Sequence, residues 1–145
     1  MLIKNEMTLK FLAISQNESF ARSCVAAFTT QLEPTVEEIN DIKTAVSEAV
    51  TNSIVHAYQD KMGYVTVHAQ IIENTVHIEV VDQGSGIADI EKAMQPLFTT
   101  KPEQERSGMG FTVMQTFMDN IKVKSDIGKG TSVKMVKKIG RPAKI

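Results

Sequence analysis

The stretch Glu48-Ala49-Val50-Thr51-Asn52 lies in a longer segment whose apolar residues recur at helical spacing. Ile39, Ile42, Val46, Val50 and Ala57 form one stripe, and a 100° step per residue puts Glu48 and Asn52 roughly opposite it. Four residues apart, the carboxylate and the amide stack on one helix face, so neither has to enter the core. Thr35 and Glu38 supply a capping box at the start of this helix, just after Pro34 breaks the chain. The pattern ends near Tyr58.

Working outward, Val65, Val67, Ala69 and Ile71 alternate with polar residues, Glu73-Asn74 gives a turn, and Val76, Ile78 and Val80 alternate again. This period of two predicts a β-hairpin that delivers Asp82 at its end. Met7 to Ile14 reads as a strand, and Gln16-Asn17-Glu18-Ser19 supplies candidate caps for a helix through about Leu32. Met109 to Met118 reads as a short helix with Phe111, Met114, Phe117 and Met118 on its core side. Ile121 and Val123, then Val133 and Met135, predict two closing strands joined by Gly128-Lys129-Gly130. Pro96 to Ser107 has few periodic apolar positions and reads as a mobile lid. The expected fold is an α/β (α+β) two-layer sandwich: a mixed, mainly antiparallel sheet with helices on one face.

A chain of 145 residues with 42% hydrophobic content suits a single domain over 1–145. The formal net charge of −1 argues against a general nucleic-acid binder, so no direct nucleic-acid contact is expected. Lys134, Lys137, Lys138, Arg141 and Lys144 make only the C-terminal end basic, which reads as an edge strand and a solvated tail. Cys24 is the single cysteine, so no intrachain disulfide can form, and a reducing cytoplasmic location is expected. Lys4, Glu6 and Lys10 interrupt the first ten residues, which therefore read neither as a signal peptide nor as a membrane span.

Two glycine loops follow the helix pair: Asp82-Gln83-Gly84-Ser85-Gly86, then Ser107-Gly108-Met109-Gly110-Phe111. Together with Glu48 and Asn52 they suggest a metal-nucleotide site. Mg²⁺ takes octahedral oxygen coordination and keeps several waters, so one protein oxygen plus triphosphate oxygens completes its shell; the Asn52 amide can supply that oxygen. Asp82 ends an apolar strand, where a carboxylate is costly to bury without a donor, and the adenine amino group is a suitable donor. Gly84 and Gly86 permit a turn and a close backbone approach. Ser107, Gly108, Met109 and Gly110 stand before a helix, so their amides and the positive helix end can face phosphates. Lys101 and Arg106, in the lid, are candidates to neutralise phosphate charge. Thr131, after Gly130, is placed to hydrogen-bond near the base. His56, His68 and His77 lack the spacing and the cysteine partners of a zinc site, and no nucleophile elbow accompanies any serine.

The order of these segments resembles the four ATP-binding boxes of the Bergerat-fold ATPases, the group that contains DNA gyrase, heat-shock protein 90, the sensor histidine kinases and the mismatch-repair ATPases. Gln16-Asn17-Glu18-Ser19-Phe20-Ala21-Arg22, Ser47-Glu48-Ala49-Val50-Thr51-Asn52 and Pro96-Leu97-Phe98-Thr99-Thr100-Lys101-Pro102 are more specifically similar to the stage II sporulation anti-sigma F factors, a family of serine-protein kinases. The resemblance implies ATP and Mg²⁺ as cofactors, Asn52 as metal ligand, Glu48 as the base or orienting carboxylate, Asp82 as the adenine contact, and Thr99 among the nucleotide-binding residues. It further implies a sporulation sigma factor and an anti-anti-sigma antagonist as protein partners, Arg22 as a partner-contacting residue, and a homodimer. A different class of function is an ATP-gated protein-binding module without significant turnover, against which the presence of Glu48 argues. A sensor histidine kinase domain fits less well, because Val55 stands where that pattern has a basic residue, although His56 follows.

Overall fold

The computed structural model describes residues 3–58, 62–87, 94 and 110–140. Strand β1 (Ile3–Leu12) is followed by helix α1 (Gln16–Thr29), a short 3₁₀ turn and helix α2 (Val36–Asn52). The hairpin β2 (Tyr64–Ile72) and β3 (Thr75–Asp82) comes next, and helix α3 (Gly110–Phe117) precedes the closing strands β4 (Asn120–Asp126) and β5 (Gly130–Lys138).

The strands form one sheet in the order β1-β2-β3-β5-β4. Where a mixed, mainly antiparallel sheet was expected, every pairing among the described residues is antiparallel. The register puts Val67 opposite Val80, Ala69 opposite Ile78, Val80 opposite Val133 and Ile78 opposite Met135. Directly opposed residues share a face, so these buried side chains make one apolar surface, and Val25, Ile42, Val46, Val50 and Met114 of α1, α2 and α3 complete its core. The layers are therefore a sheet and a set of helices on one side of it.

Thr35 caps α2 as its sequence implies: its Oγ1 accepts from the Glu38 amide at 3.1 Å, and Glu38 Oε1 accepts from the Thr35 amide at 2.8 Å. The buried arc of α2, Ile42, Ala45, Val46, Ala49 and Val50, is wider than the single stripe read from the sequence. Contacts with α1 and α3 explain the difference, because a helix flanked by two others as well as a sheet buries more of its circumference. Each fully buried Val or Ile contributes about 1.5–3 kcal/mol of transfer free energy. Helix α1 differs from expectation at its start, where Ser15 is the N-cap without a side-chain bond and Asn17 donates instead to the Leu12 carbonyl. His68 has a structural role: its Nδ1 lies 2.7 Å from Oγ1 of Thr8, its partner across β1 and β2. Among the described residues no helix is long and apolar enough to cross a membrane.

Candidate functional site

Beyond Asn52 the helix continues as a π turn, Ser53–Ala57. Such wide turns strain helical hydrogen bonding and gather at functional sites. Here the turn aims Ser53 at the end of β3, where its hydroxyl donates to Asp82 Oδ2 at 2.9 Å. The Ala57 carbonyl, one of the acceptors a helix end leaves over, takes the Ser85 amide at 2.8 Å. Helix end and glycine loop thus satisfy each other.

Asp82 is buried, with 6% of its surface exposed. Its Oδ1 accepts from the Gly84 amide at 3.0 Å. Burial raises its pKa above the ordinary 3.8, against the lowering effect of hydrogen bonds from the Gly84 backbone, the Ser53 hydroxyl and the Thr131 backbone. An ionised carboxylate has about four acceptor positions, so these donors leave capacity for an additional one such as a purine amino group. Gly84 and Gly86 have the roles expected of them: a Cβ on Gly84 would lie 2.4 Å from the Ala57 carbonyl oxygen, and Gly86 has φ +79°.

Because its folded pKa is raised, Asp82 stabilises the fold only below its ordinary titration range, and that contribution is lost as pH rises through the folded value. Asp82→Asn does not titrate and can still accept from Gly84. Thermal melts between pH 4 and pH 7 should therefore show the Asn variant gaining stability relative to the parent as pH rises. Were a purine amino group to bind this carboxylate, loss of that charge-assisted bond would weaken its binding about tenfold or more. A stability difference independent of pH would remove the carboxylate from this account.

Glu48 and Asn52 meet the first residue of α3. A Cβ built on Gly110 would lie 3.1 Å and 3.2 Å from Asn52 Nδ2 and Oδ1, and 3.3 Å from Glu48 Oε2. Glycine lets the start of α3 approach both side chains, and the two half-buried groups present oxygen donors of the kind Mg²⁺ prefers. Thr131 is the cross-strand partner of Asp82. The structure thus joins Glu48, Asn52 and Gly110 in one cluster and Asp82, Gly84 and Thr131 in another, with Ser53 linking them. Thr99, Lys101, Arg106, Ser107, Gly108, Met109 and the expected lid lie outside the described residues. Arg22 lies apart on α1, half-exposed, its Nε 3.2 Å from Glu18 Oε2 and its Nη2 3.3 Å from Ser19 Oγ.

Sequence reasoning missed Ser53 and Tyr58. The Tyr58 hydroxyl accepts from the Gln83 amide at 2.9 Å and donates to the Tyr64 carbonyl at 2.6 Å, tying the loop after Asp82 to β2. Ser53 follows Asn52 directly, but its partner is 29 residues away, beyond any local pattern.

Residues 14–137 match the family described as the histidine kinase-like ATPase domain. An anti-sigma F factor from Caldanaerobacter subterraneus subsp. tengcongensis is 67% identical over 94% of this chain and 96% of its own length. One from Clostridium acetobutylicum is 61% identical, with the same coverage of both chains. Among solved structures, the RsbU and RsbW domains of a Mycobacterium tuberculosis protein superpose with a TM-score of 0.68 at 19% identity, over 97% of this chain and 33% of that one. A blue-light activated histidine kinase domain from Erythrobacter litoralis gives 0.55 at 17% identity, over 84% of this chain and 60% of that one. At these identities the structural matches speak for the fold alone.

Proposed function

Because this chain belongs to the anti-sigma F factor family and carries a histidine kinase-like ATPase domain, we propose that it is an ATP-dependent serine-protein kinase that sequesters a sporulation sigma factor and phosphorylates a serine of an anti-anti-sigma antagonist. The observation that carries the catalytic half is the convergence of Glu48 and Asn52 on Gly110. Mg-ATP supplies the transferable phosphoryl group and the charge that offsets its negative oxygens. Asn52 would hold the metal through its amide oxygen, and Asp82, buried against Ser53 and Gly84, would accept from the base. Glu48 orients the attacking seryl hydroxyl and receives its proton. A serine hydroxyl is a weak nucleophile at neutral pH, yet loose phosphoryl transfer relies chiefly on positioning and charge stabilisation, so orientation is the larger part of this role. Family likeness supports a homodimer as the working form.

Arg22 supplies the proposed partner contact. In this structure it pairs with Glu18 one turn away, so a partner's carboxylates compete with a half-exposed i,i+4 ion pair worth about 0.5 kcal/mol. Arg22→Glu reverses the charge facing the partner and should cost about 2–5 kcal/mol of binding where the contact is desolvated, a loss of roughly thirtyfold or more. ATP affinity should stay near that of the parent, and stability should fall by about 1 kcal/mol or less, from the lost pair and the new like-charge contact with Glu18. Two titrations on one purified variant, ATP in the first and each protein partner in the second, check this. Full partner affinity beside normal ATP binding would make Arg22 an ordinary surface residue.

Sequestration itself is tested by titrating a purified sporulation sigma factor into the protein with and without Mg-ATP. Saturable binding is expected, and absence of binding under both conditions would contradict the anti-sigma reading of this chain.

A further inference from the structure

Asp82, Thr131 and Ser125 stand in one row across the sheet, each the direct cross-strand partner of the next on β3, β5 and β4. Directly opposed residues point to the same face, so Thr131 and Ser125 share the face on which Asp82 is buried. Ser125 Oγ makes three contacts: the Ile87 amide at 2.7 Å, the Gly130 carbonyl at 3.0 Å and Thr131 Oγ1 at 2.8 Å.

The proton count of this cluster has one solution that satisfies all three. An amide N–H only donates and a carbonyl only accepts, while a serine hydroxyl has one proton and two lone pairs. Ser125 therefore accepts from Ile87 and donates to Gly130. Its bond with Thr131 is then one in which Thr131 is the donor. With its proton committed to Ser125, Thr131 offers only lone pairs elsewhere, beside a carboxylate that, when ionised, also only accepts.

We propose that Ser125 is a specificity-determining positioning residue: by taking the Thr131 proton it fixes Thr131 as an acceptor, so that the Asp82–Thr131 row selects a nucleobase with an exocyclic amine over one with a carbonyl at the same place. This rests on the reading of the site as an adenine nucleotide pocket. Ser125 also holds the amide of Ile87 at the end of the glycine loop, so one side chain fixes both the loop and the hydrogen-bonding sense of Thr131.

ATP and ITP share ribose and triphosphate and differ at the purine 6-position, amine against carbonyl, with the linked change at N1 from lone pair to N–H, so the ratio of their affinities separates recognition of this base edge from phosphate and metal binding. The parent should prefer ATP. Ser125→Ala frees the Thr131 hydroxyl to turn and donate, and should narrow the ATP-to-ITP ratio about three- to tenfold, the scale of one neutral hydrogen bond. Thr131→Val should narrow it comparably. The double variant should narrow it no further than Thr131→Val alone, because Ser125 acts through Thr131. If the alanine variant does not fold, Ser125→Cys, close in shape but a weak acceptor, carries the same expectation. A purely structural serine would weaken both nucleotides equally. An unchanged ratio in the Ser125 variant, or effects that multiply in the double variant, would overturn the inference while leaving the nucleotide site intact. A parent that binds neither nucleotide would overturn the site reading, and this inference with it.

Discussion

Replacing Asn52 with alanine is expected to abolish Mg²⁺-dependent ATP binding while changing magnesium-free nucleotide affinity much less. Mg²⁺ requires oxygens in octahedral geometry and binds through few protein groups, and in the proposed site Asn52 supplies the protein oxygen. Loss of a group that merely supports a metal ligand costs roughly 10- to 100-fold in metal affinity, so loss of the ligand itself should cost at least about 100-fold. The fold should survive, since Asn52 is only half-buried, at the border of the core arc of α2 beside Ala45 and Ala49. Calorimetric titration with and without magnesium separates the outcomes. Equal losses in both conditions would point to damage at the end of α2 and would remove Asn52 from the metal site.

Glu48→Gln should have the second large effect, on transfer rather than binding. Glutamine keeps the shape of the side chain beside Gly110 but cannot take a proton or present a negative charge to the incoming hydroxyl. ATP should still bind, and single-turnover phosphate transfer should fall by roughly 10² to 10⁴, the scale for loss of a general base. An unchanged rate would exclude Glu48 from the chemistry and leave it as a polar contact of the α2 and α3 packing.

Periodicity made most of the fold legible. The alternation from Val65 to Val80 fixed both strands and the turn at Glu73-Asn74, because a sheet with one buried face enforces a period of two. The capping box at Thr35 fixed the start of α2, because its two bonds join residues three apart and need no tertiary partner. Asp82, Gly84 and Gly86 were legible for a similar reason: a carboxylate and two glycines in five residues make a local loop chemistry. What stayed hidden depends on contacts across the chain. The wide arc of α2 includes Ala45 and Ala49 because helices pack on both sides of it. The π turn is read as helix from its sequence, and its consequence, the bond from Ser53 to Asp82, exists only once β3 is in place. Ser125 illustrates the same limit, since its three partners come from the glycine loop and from β5.

One structural element connects the two proposed halves of the function. Helix α2 packs against α1, which carries Arg22, and against α3, whose first residue meets Glu48 and Asn52. A partner docked on α1 therefore sits one helix away from the proposed phosphate end of the site. The most direct test of kinase function is incubation of the protein with γ-labelled ATP, Mg²⁺ and an anti-anti-sigma antagonist, followed by mapping of the labelled residue. Kinase function predicts magnesium-dependent label on a serine of the antagonist. Saturating ATP binding without any label on that protein, or label on a residue other than serine, would contradict it.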